Sequence, residues 1–222
     1  MKDLTRIDLK EMVLRLAHEI RNPLATIKSG IQLVQHLMPP QPELQEYLES
    51  ALEEVERINR TIADMQRVVR LDQGSSRAVA LEGIVRAAVD RCMDLARRRD
   101  VTVRIQPGPE STVLVDPSQM EEAVAELVHN AVTYTSQGTS VSVSWFPTGG
   151  ATVQLDVTDC CGGIPATVAE RMFSPFYSSS TKGTGLGLNV ASRTCELTGG
   201  QLKWENLADG SGCRFSIVLP EV

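Results

Sequence analysis

Apolar residues near the start of the chain recur at alternating steps of four and three: Val13, Ala17, Ile20, Leu24, Ile27, Ile31, Val34 and Met38. A repeat near 3.5 residues keeps such a stripe on one helix face, as in a coiled-coil seam. The spacing passes straight through Pro23, so one kinked helix is expected rather than two. "MPPQPE" breaks the pattern at Pro39, Pro40 and Pro42. A second stripe then follows through Leu44, Leu48, Ala51, Leu52, Val55, Ile58, Ile62, Met65 and Val69, with charged residues on the other faces. Two helices joined by a short proline-rich turn make an antiparallel hairpin. A hairpin cannot bury two long stripes by itself, and a second copy would complete a four-helix bundle. A homodimer is expected on that ground.

The texture changes after "LDQGSSRAV", which reads as a linker by its Gly and Ser content. "LEGIVRAAVDRCMDLARRR" and "PSQMEEAVAELVHNAVTY" have helical periodicity, the second with Pro117 near its start. "VTVRIQ", "STVLVD", "SVSVSWF", "TVQLDVTD", "GQLKWEN" and "CRFSIVLP" alternate as strands do. The expected fold is α+β: a helical hairpin forming a dimeric bundle, then an α/β sandwich with helices on one face of a largely antiparallel sheet. The expected limits are 1–72 for the hairpin, 73–78 for a linker and 79–222 for the sandwich.

Composition narrows the function. Apolar residues make up 42% of the chain but aromatics only 4%, so aliphatic side chains must fill the core. A net charge of −6 argues against a nucleic-acid surface, and Arg97-Arg98-Arg99 reads as a solvated helix end. Five cysteines without a signal-peptide pattern suggest reduced thiols in a cytoplasmic setting. Cys160-Cys161 has no second CxxC partner, so a zinc centre is not expected. No apolar run approaches the ~20 residues that span a bilayer.

Candidate chemistry lies in both halves. His18, Glu19 and Asn22 fall off the apolar stripe, so they point outward. A neutral imidazole is a competent nucleophile, and an adjacent carboxylate can take its proton. Asn22 lies one turn later and can orient a water. Pro23 has no amide hydrogen for the carbonyl of Glu19, which gives the histidine room and mobility if the helix opens there. In the second half, Glu126 and Asn130 are four residues apart on one helix face and offer oxygen ligands for Mg²⁺. Asp159 emerges from a strand into Gly162-Gly163, where a carboxylate can accept a hydrogen bond from an adenine amino group. "TKGTGLGL" sets Gly183, Gly185 and Gly187 at the start of a helix, an anion cradle rather than a dinucleotide fingerprint. "RMFSPFYSSSTKG" reads as a mobile lid on hydrophobic feet, Phe173, Phe176 and Tyr177.

These segments together resemble the core of bacterial two-component sensor histidine kinases. "HEIRNPL" looks like the family's H box. "ELVHNA", "DCCGGI", "FSPFYSSSTKG" and "GTGLGL" look like its N, G1, F and G2 boxes, in the family's order, over nearly the whole chain. The resemblance implies an ATP-binding domain of the gyrase/heat-shock-90/kinase type that phosphorylates His18 on the hairpin. The phosphoryl group then passes to an aspartate on a response-regulator receiver domain, and the same hairpin can dephosphorylate that regulator. It assigns proton removal to Glu19 and a water-positioning role to Asn22. It also implies Mg²⁺ ligation by Asn130, with Glu126 beside it, an adenine-pocket position for Tyr134 and adenine reading by Asp159. Gly163 belongs to the nucleotide turn, and Lys182, Gly183, Thr184, Gly185, Leu186 and Gly187 to the phosphate-side loop. Membrane attachment is expected only through segments outside these residues.

The chain also departs from the family pattern. Cys161 stands where the family usually has Gly, and Glu126 where it often has Asn. Thr133 replaces a frequent Lys or Arg, and Lys182 sits two residues later than the lid Lys of some relatives. Cys161 keeps open a catalytically weakened, nucleotide-sensing docking module. Glu126 keeps open an ATPase-driven clamp.

Overall fold

The computed structural model describes residues 3–39, 41–71, 75–179 and 183–222. Lys182, Pro40 and the glycine of the expected linker, Gly74, lie outside them. The chain divides into two units. One comprises Met1–Arg70 with Ser178–Leu186, and the other Leu71–Tyr177 with Gly187–Val222.

In the first unit, α1 (Asp3–Leu37) and α2 (Pro42–Arg70) form the hairpin. α1 runs through Pro23 as one helix. It ends just before the proline run, because a residue preceding proline is pushed out of the helical region. Pro42 takes the first position of α2, where its missing N–H is no loss. Arg21 donates to Gln66 at 3.0 Å and Lys28 to Glu56, so the two helices run antiparallel. Their shared core is small: Ala17 and Leu24 from α1, Val55 and Ile62 from α2, with Ile58 partly buried beside them. The α1 stripe is split. Ala17 and Leu24 face α2, whereas Ile20, Ile27, Val34 and Met38 stay exposed.

The second unit is built on a five-stranded sheet in the order β2 (Thr102–Gln106), β4 (Ser140–Pro147), β5 (Thr152–Thr158), β7 (Cys213–Pro220), β6 (Gln201–Asn206). β2 runs parallel to β4, and the other pairs are antiparallel. Three helices accompany it: α3 (Leu81–Arg99), α4 (Pro117–Tyr134) and α6 (Gly187–Leu197). α4 is the middle one and touches both others. Strand alternation drives the packing. Val141, Val143 and Trp145 of β4, Val153, Leu155 and Val157 of β5, and Ile217 and Leu219 of β7 point into one core. Leu81, Val85, Met120, Val124, Leu127 and Val128 meet them from the helices. Asp116 caps α4 by accepting from Gln119 N–H at 3.0 Å, and it also accepts from Ser75 N–H at 2.8 Å.

Two expectations are corrected. The strand read at 111–116 leaves the main sheet. As β3 (Thr112–Val115) it pairs antiparallel with β1 (Arg77–Ala80) in a separate two-stranded sheet. Residues Arg77 and Ala78, expected in the linker, therefore belong to a strand. Gly and Ser content marks a flexible stretch but cannot reveal that its last residues find a ladder partner some 35 positions on. The single-turn helix α5 (Ala166–Ala169) was also not expected; it follows Pro165 inside the segment after the Gly162-Gly163 turn.

Candidate functional site

On α1, burial of Ala17 turns the next residues outward: His18, Glu19 and Asn22 are all exposed, as is Pro23. The carbonyl of Asn22 accepts from the Thr26 hydroxyl at 3.3 Å. His18 and Asn22 share a face one turn apart, with Glu19 alongside, as the period of a helix requires.

In the second unit, α4 carries Glu126, Asn130 and Tyr134 on successive turns. Glu126 and Asn130 are half-buried and Tyr134 is exposed. The Glu126 carboxylate lies against the first turn of α6, where it leaves no room for a Cβ on Gly187. A side chain on Gly187 would have to displace that carboxylate, and the contact brings the N and G2 segments together.

Asp159 is 4% exposed at the end of β5. Its Oδ1 accepts from Cys161 N–H at 3.1 Å and from Cys213 N–H at 3.0 Å. The Cys213 thiol donates to Oδ2 at 3.2 Å. The sulfurs of Cys161 and Cys213 are 3.8 Å apart. Burial pushes the Cys213 thiol far above its ordinary range, with the charge of Asp159 adding to it. Burial and the same carboxylate also push the Cys161 thiol up. Cys213 and Cys161 are therefore protonated and can donate, which lets a carboxylate stay buried among them.

The turn after Asp159 is held from the far edge of the sheet. Gly162 and Gly163 have φ of 79° and 89°, a left-handed backbone that favours glycine. Asn206 at the end of β6 brackets the next residue: Ile164 N–H donates to its Oδ1 at 2.7 Å, and its Nδ2 donates to the Ile164 carbonyl at 3.0 Å. Gly212 lies so close to the Asp159 carbonyl that no Cβ fits. The sequence reading missed Asn206, Gly212 and Cys213. The one signal was the Gly-x-Gly of "DGSGCRF", which looks like any hairpin turn.

In the segment read as a lid, Phe173 and Tyr177 pack against the core, and Arg171 stacks over the Tyr177 ring at 4.6 Å. Phe176 is no foot: it is 57% exposed with φ of 65°. Asn189 of α6 ties back to the Phe173 carbonyl at 2.8 Å.

Gly183, Thr184, Gly185 and Leu186 group with the hairpin, whereas Gly187 groups with the sandwich. Leu186 is buried, and Gly185 has φ of 69°. The Thr184 hydroxyl donates to Asp64 Oδ2 on α2 at 2.6 Å, while Arg67 pairs with Oδ1 of the same carboxylate at 2.9 Å. The structure thus brings Glu126 to Gly187 and gathers the thiols at Asp159, but places Thr184 on a hairpin carboxylate.

Residues 8–74 match the family model of the His Kinase A (phospho-acceptor) domain, and residues 115–222 that of the Histidine kinase-, DNA gyrase B-, and HSP90-like ATPase. The chain is 29% identical over 217 residues to the sensor histidine kinase ZraS of Escherichia coli, covering 96% of this chain and 46% of that protein. It is 29% identical over 207 residues to the sensor protein kinase PilS of Pseudomonas aeruginosa, covering 89% and 38%. The crystal structure of full-length ShkA in complex with AMPPNP shares the fold, with a TM-score of 0.76 at 24% identity over 96% of this chain and 46% of that one. The chain spans about half the length, or less, of the curated relatives it matches.

Proposed function

We infer, for a chain that belongs to the bacterial sensor histidine kinases and carries their catalytic core, that it transfers the γ-phosphoryl group of ATP to His18 and then to a response-regulator aspartate. The observation that carries this reading is the exposed His18 within the phospho-acceptor match, ahead of an ATPase-type sandwich in the same chain. One nitrogen of His18 attacks the γ-phosphorus, ADP leaves, and Glu19 takes the proton given up by the imidazole. Catalysis of such a loose transfer comes mainly from positioning and charge stabilisation. Phosphatase action on the regulator uses the same face, with Asn22 orienting the attacking water.

ATP is assigned to residues 79–222, the hairpin to 1–72 and the link between them to 73–78. Asp159 accepts from the adenine amino group, and Tyr134 lines the pocket. Gly163 shapes the turn beneath it. Lys182, Gly183, Thr184, Gly185, Leu186 and Gly187 surround the phosphates. The amide oxygen of Asn130 and the carboxylate of Glu126 are hard donors one turn apart on α4, a set that fits Mg²⁺. That ion would supply charge neutralisation at the phosphates. In the structure Thr184 bonds to Asp64, so nucleotide binding would have to exchange that partner for phosphate. The exposed column Ile20, Ile27 and Val34 supports a homodimer closed as a four-helix bundle. A cytoplasmic location and attachment to a membrane only through other segments complete the reading; no described helix is long and apolar enough to cross a membrane.

Incubation with γ-labelled ATP tests this. The expected product is stable in alkali, labile in acid, and at least a hundredfold weaker in His18→Gln, while nucleotide still binds that variant. Equal labelling of His18→Gln would sink the assignment. A second reading, a nucleotide-sensing docking module without transfer, is favoured by Cys161 beside Asp159. It predicts nucleotide binding with no label in either protein.

A further inference from the structure

We propose that Asp159, Cys161 and Cys213 form a binding site for a thiophilic divalent cation, Zn²⁺, that excludes adenine from Asp159. The ligand atoms of these three residues all lie within 4.8 Å of one another. Geometry favours a tetrahedral ion. With Zn–S bonds of about 2.3 Å, two sulfurs on a tetrahedron lie about 3.8 Å apart. The Cys161 and Cys213 sulfurs are 3.8 Å apart. A sulfur and a carboxylate oxygen on the same ion would lie about 3.5 Å apart. Cys213 Sγ and Asp159 Oδ2 are 3.2 Å apart, a few tenths of an ångström from that value.

The frame is held before any ion arrives. Asp159 directly follows β5 and Cys213 begins β7, its hydrogen-bonded neighbour in the sheet, and Asp159 N–H donates to the Cys213 carbonyl at 3.0 Å. Two backbone amides hold Oδ1, so the remaining acceptor capacity of the carboxylate is on Oδ2, the oxygen that faces the thiol. Gly212, with no room for a side chain against the Asp159 carbonyl, lets the β7 strand approach this closely. On binding, each thiol gives up its proton to solvent and each sulfur donates a lone pair, while the carboxylate ligates as it stands. Among the described residues no fourth His, Cys, Asp or Glu joins the group, so a water completes the shell and the ion is exchangeable.

The exclusion of nucleotide rests on the reading that Asp159 accepts from adenine. Oδ1 is already engaged by two backbone amides, and an ion on Oδ2, with the water that completes its shell, takes up the charge and the space an adenine amino group would need. Zn²⁺ and ATP therefore draw on the same oxygen. A chain with Gly at the Cys161 position would lack one of the three ligands.

The test titrates the reduced, chelator-treated 222-residue chain with Zn²⁺ alone, and with Cd²⁺ to read the thiolate-to-metal absorption band. One equivalent should bind with that band. Cys161→Ser should weaken binding at least tenfold while keeping the thermal transition and nucleotide binding of the parent. Cys213→Ser repeats the test from the buried side. Binding of Zn²⁺ that neither variant weakens, or no thiolate band at stoichiometric metal, overturns the site. So does a pair that closes to a disulfide with diamide, a two-electron thiol oxidant, yet binds no Zn²⁺ when reduced. A fluorescent ATP analogue should be displaced by Zn²⁺ from the parent and not from Cys161→Ser. Thiolate-dependent Zn²⁺ binding that leaves the analogue in place would overturn the exclusion and remove adenine reading from Asp159, with His18 phosphorylation unaffected by that result.

Discussion

The hairpin and the sandwich solve the problem of burial in opposite ways. The hairpin closes on Ala17, Leu24, Val55 and Ile62 and leaves Leu16, Ile20, Ile27 and Val34 in solvent. The sandwich buries side chains from three helices and every strand of its larger sheet but β6 and β2, which pack against the core with partly buried residues. The difference is one of completeness. A sheet covered by helices has a second layer of its own, whereas two helices expose half of each stripe until something else covers it. The hairpin is therefore the part whose exposed apolar column the proposed dimer would cover.

The largest effect should come from breaking the incomplete region. Ile20 and Ile27 are 43% and 49% exposed, one heptad apart. With about half of each side chain already buried, each isoleucine covered by a second copy contributes roughly 1 kcal/mol, and a dimer buries two of each. The double variant Ile20→Asp, Ile27→Asp should sediment as a monomer at concentrations where the parent is a dimer, with the sandwich melting unchanged. A dimer that persists would show that these residues are not its seam.

Breaking the complete region should cost less in association and more in folding. Leu155 is fully buried in the middle of β5. Leu155→Ala should destabilise the sandwich by about 2–5 kcal/mol, read as a lower thermal midpoint, while the hairpin keeps its dimer. Loss of both together would mean that the two units fold as one.

The smallest effect sharpens the boundary between the regions. Asp116 caps α4 and also holds Ser75. Burial alone would raise its pKa, but N–H donation from Gln119, Ser75 and Ser118 and the charge of Arg77 outweigh it, and the net shift is downward. A carboxyl lowered on folding contributes stability above its unfolded pKa of about 3.9, and that stability is lost as pH falls through the folded value. Asp116→Ala should cost about 1 kcal/mol at neutral pH, in line with the loss of a helix cap. Asp116→Asn should keep most of the cap and remove this residue's share of the acid-induced loss, measured by denaturant melts from pH 6 downward. An Asp116→Ala melt that matches the parent would show that the cap is idle.

Much of this was legible along the chain because the signals are local. A stripe at helical spacing, an alternation at strand spacing and a proline at a helix start each depend on neighbours within a turn or two. The helices α1, α2, α3, α4 and α6 and most of the strands follow from that. His18, Glu19 and Asn22 were legible for the same reason: their outward position follows from the stripe they avoid. The five boxes were legible by their order, so the family was reachable without coordinates.

Contacts between distant positions were not. Which column of the α1 stripe faces α2 depends on how two helices rotate against each other, and both columns look alike in sequence. The pairing of β3 with β1 rather than with the main sheet is a choice among ladders that alternation cannot make. Thr184 meets a carboxylate 120 positions away, and Cys213 meets Asp159 across 54. Phe176, an apolar residue among packed aromatics, was turned outward by a left-handed backbone that no composition rule foretells. Periodicity and motif order specify which elements form and what chemistry they carry. The partners of that chemistry were decided by strand pairing and side-chain packing, because those bring together residues whose separation along the chain holds no record of their contact.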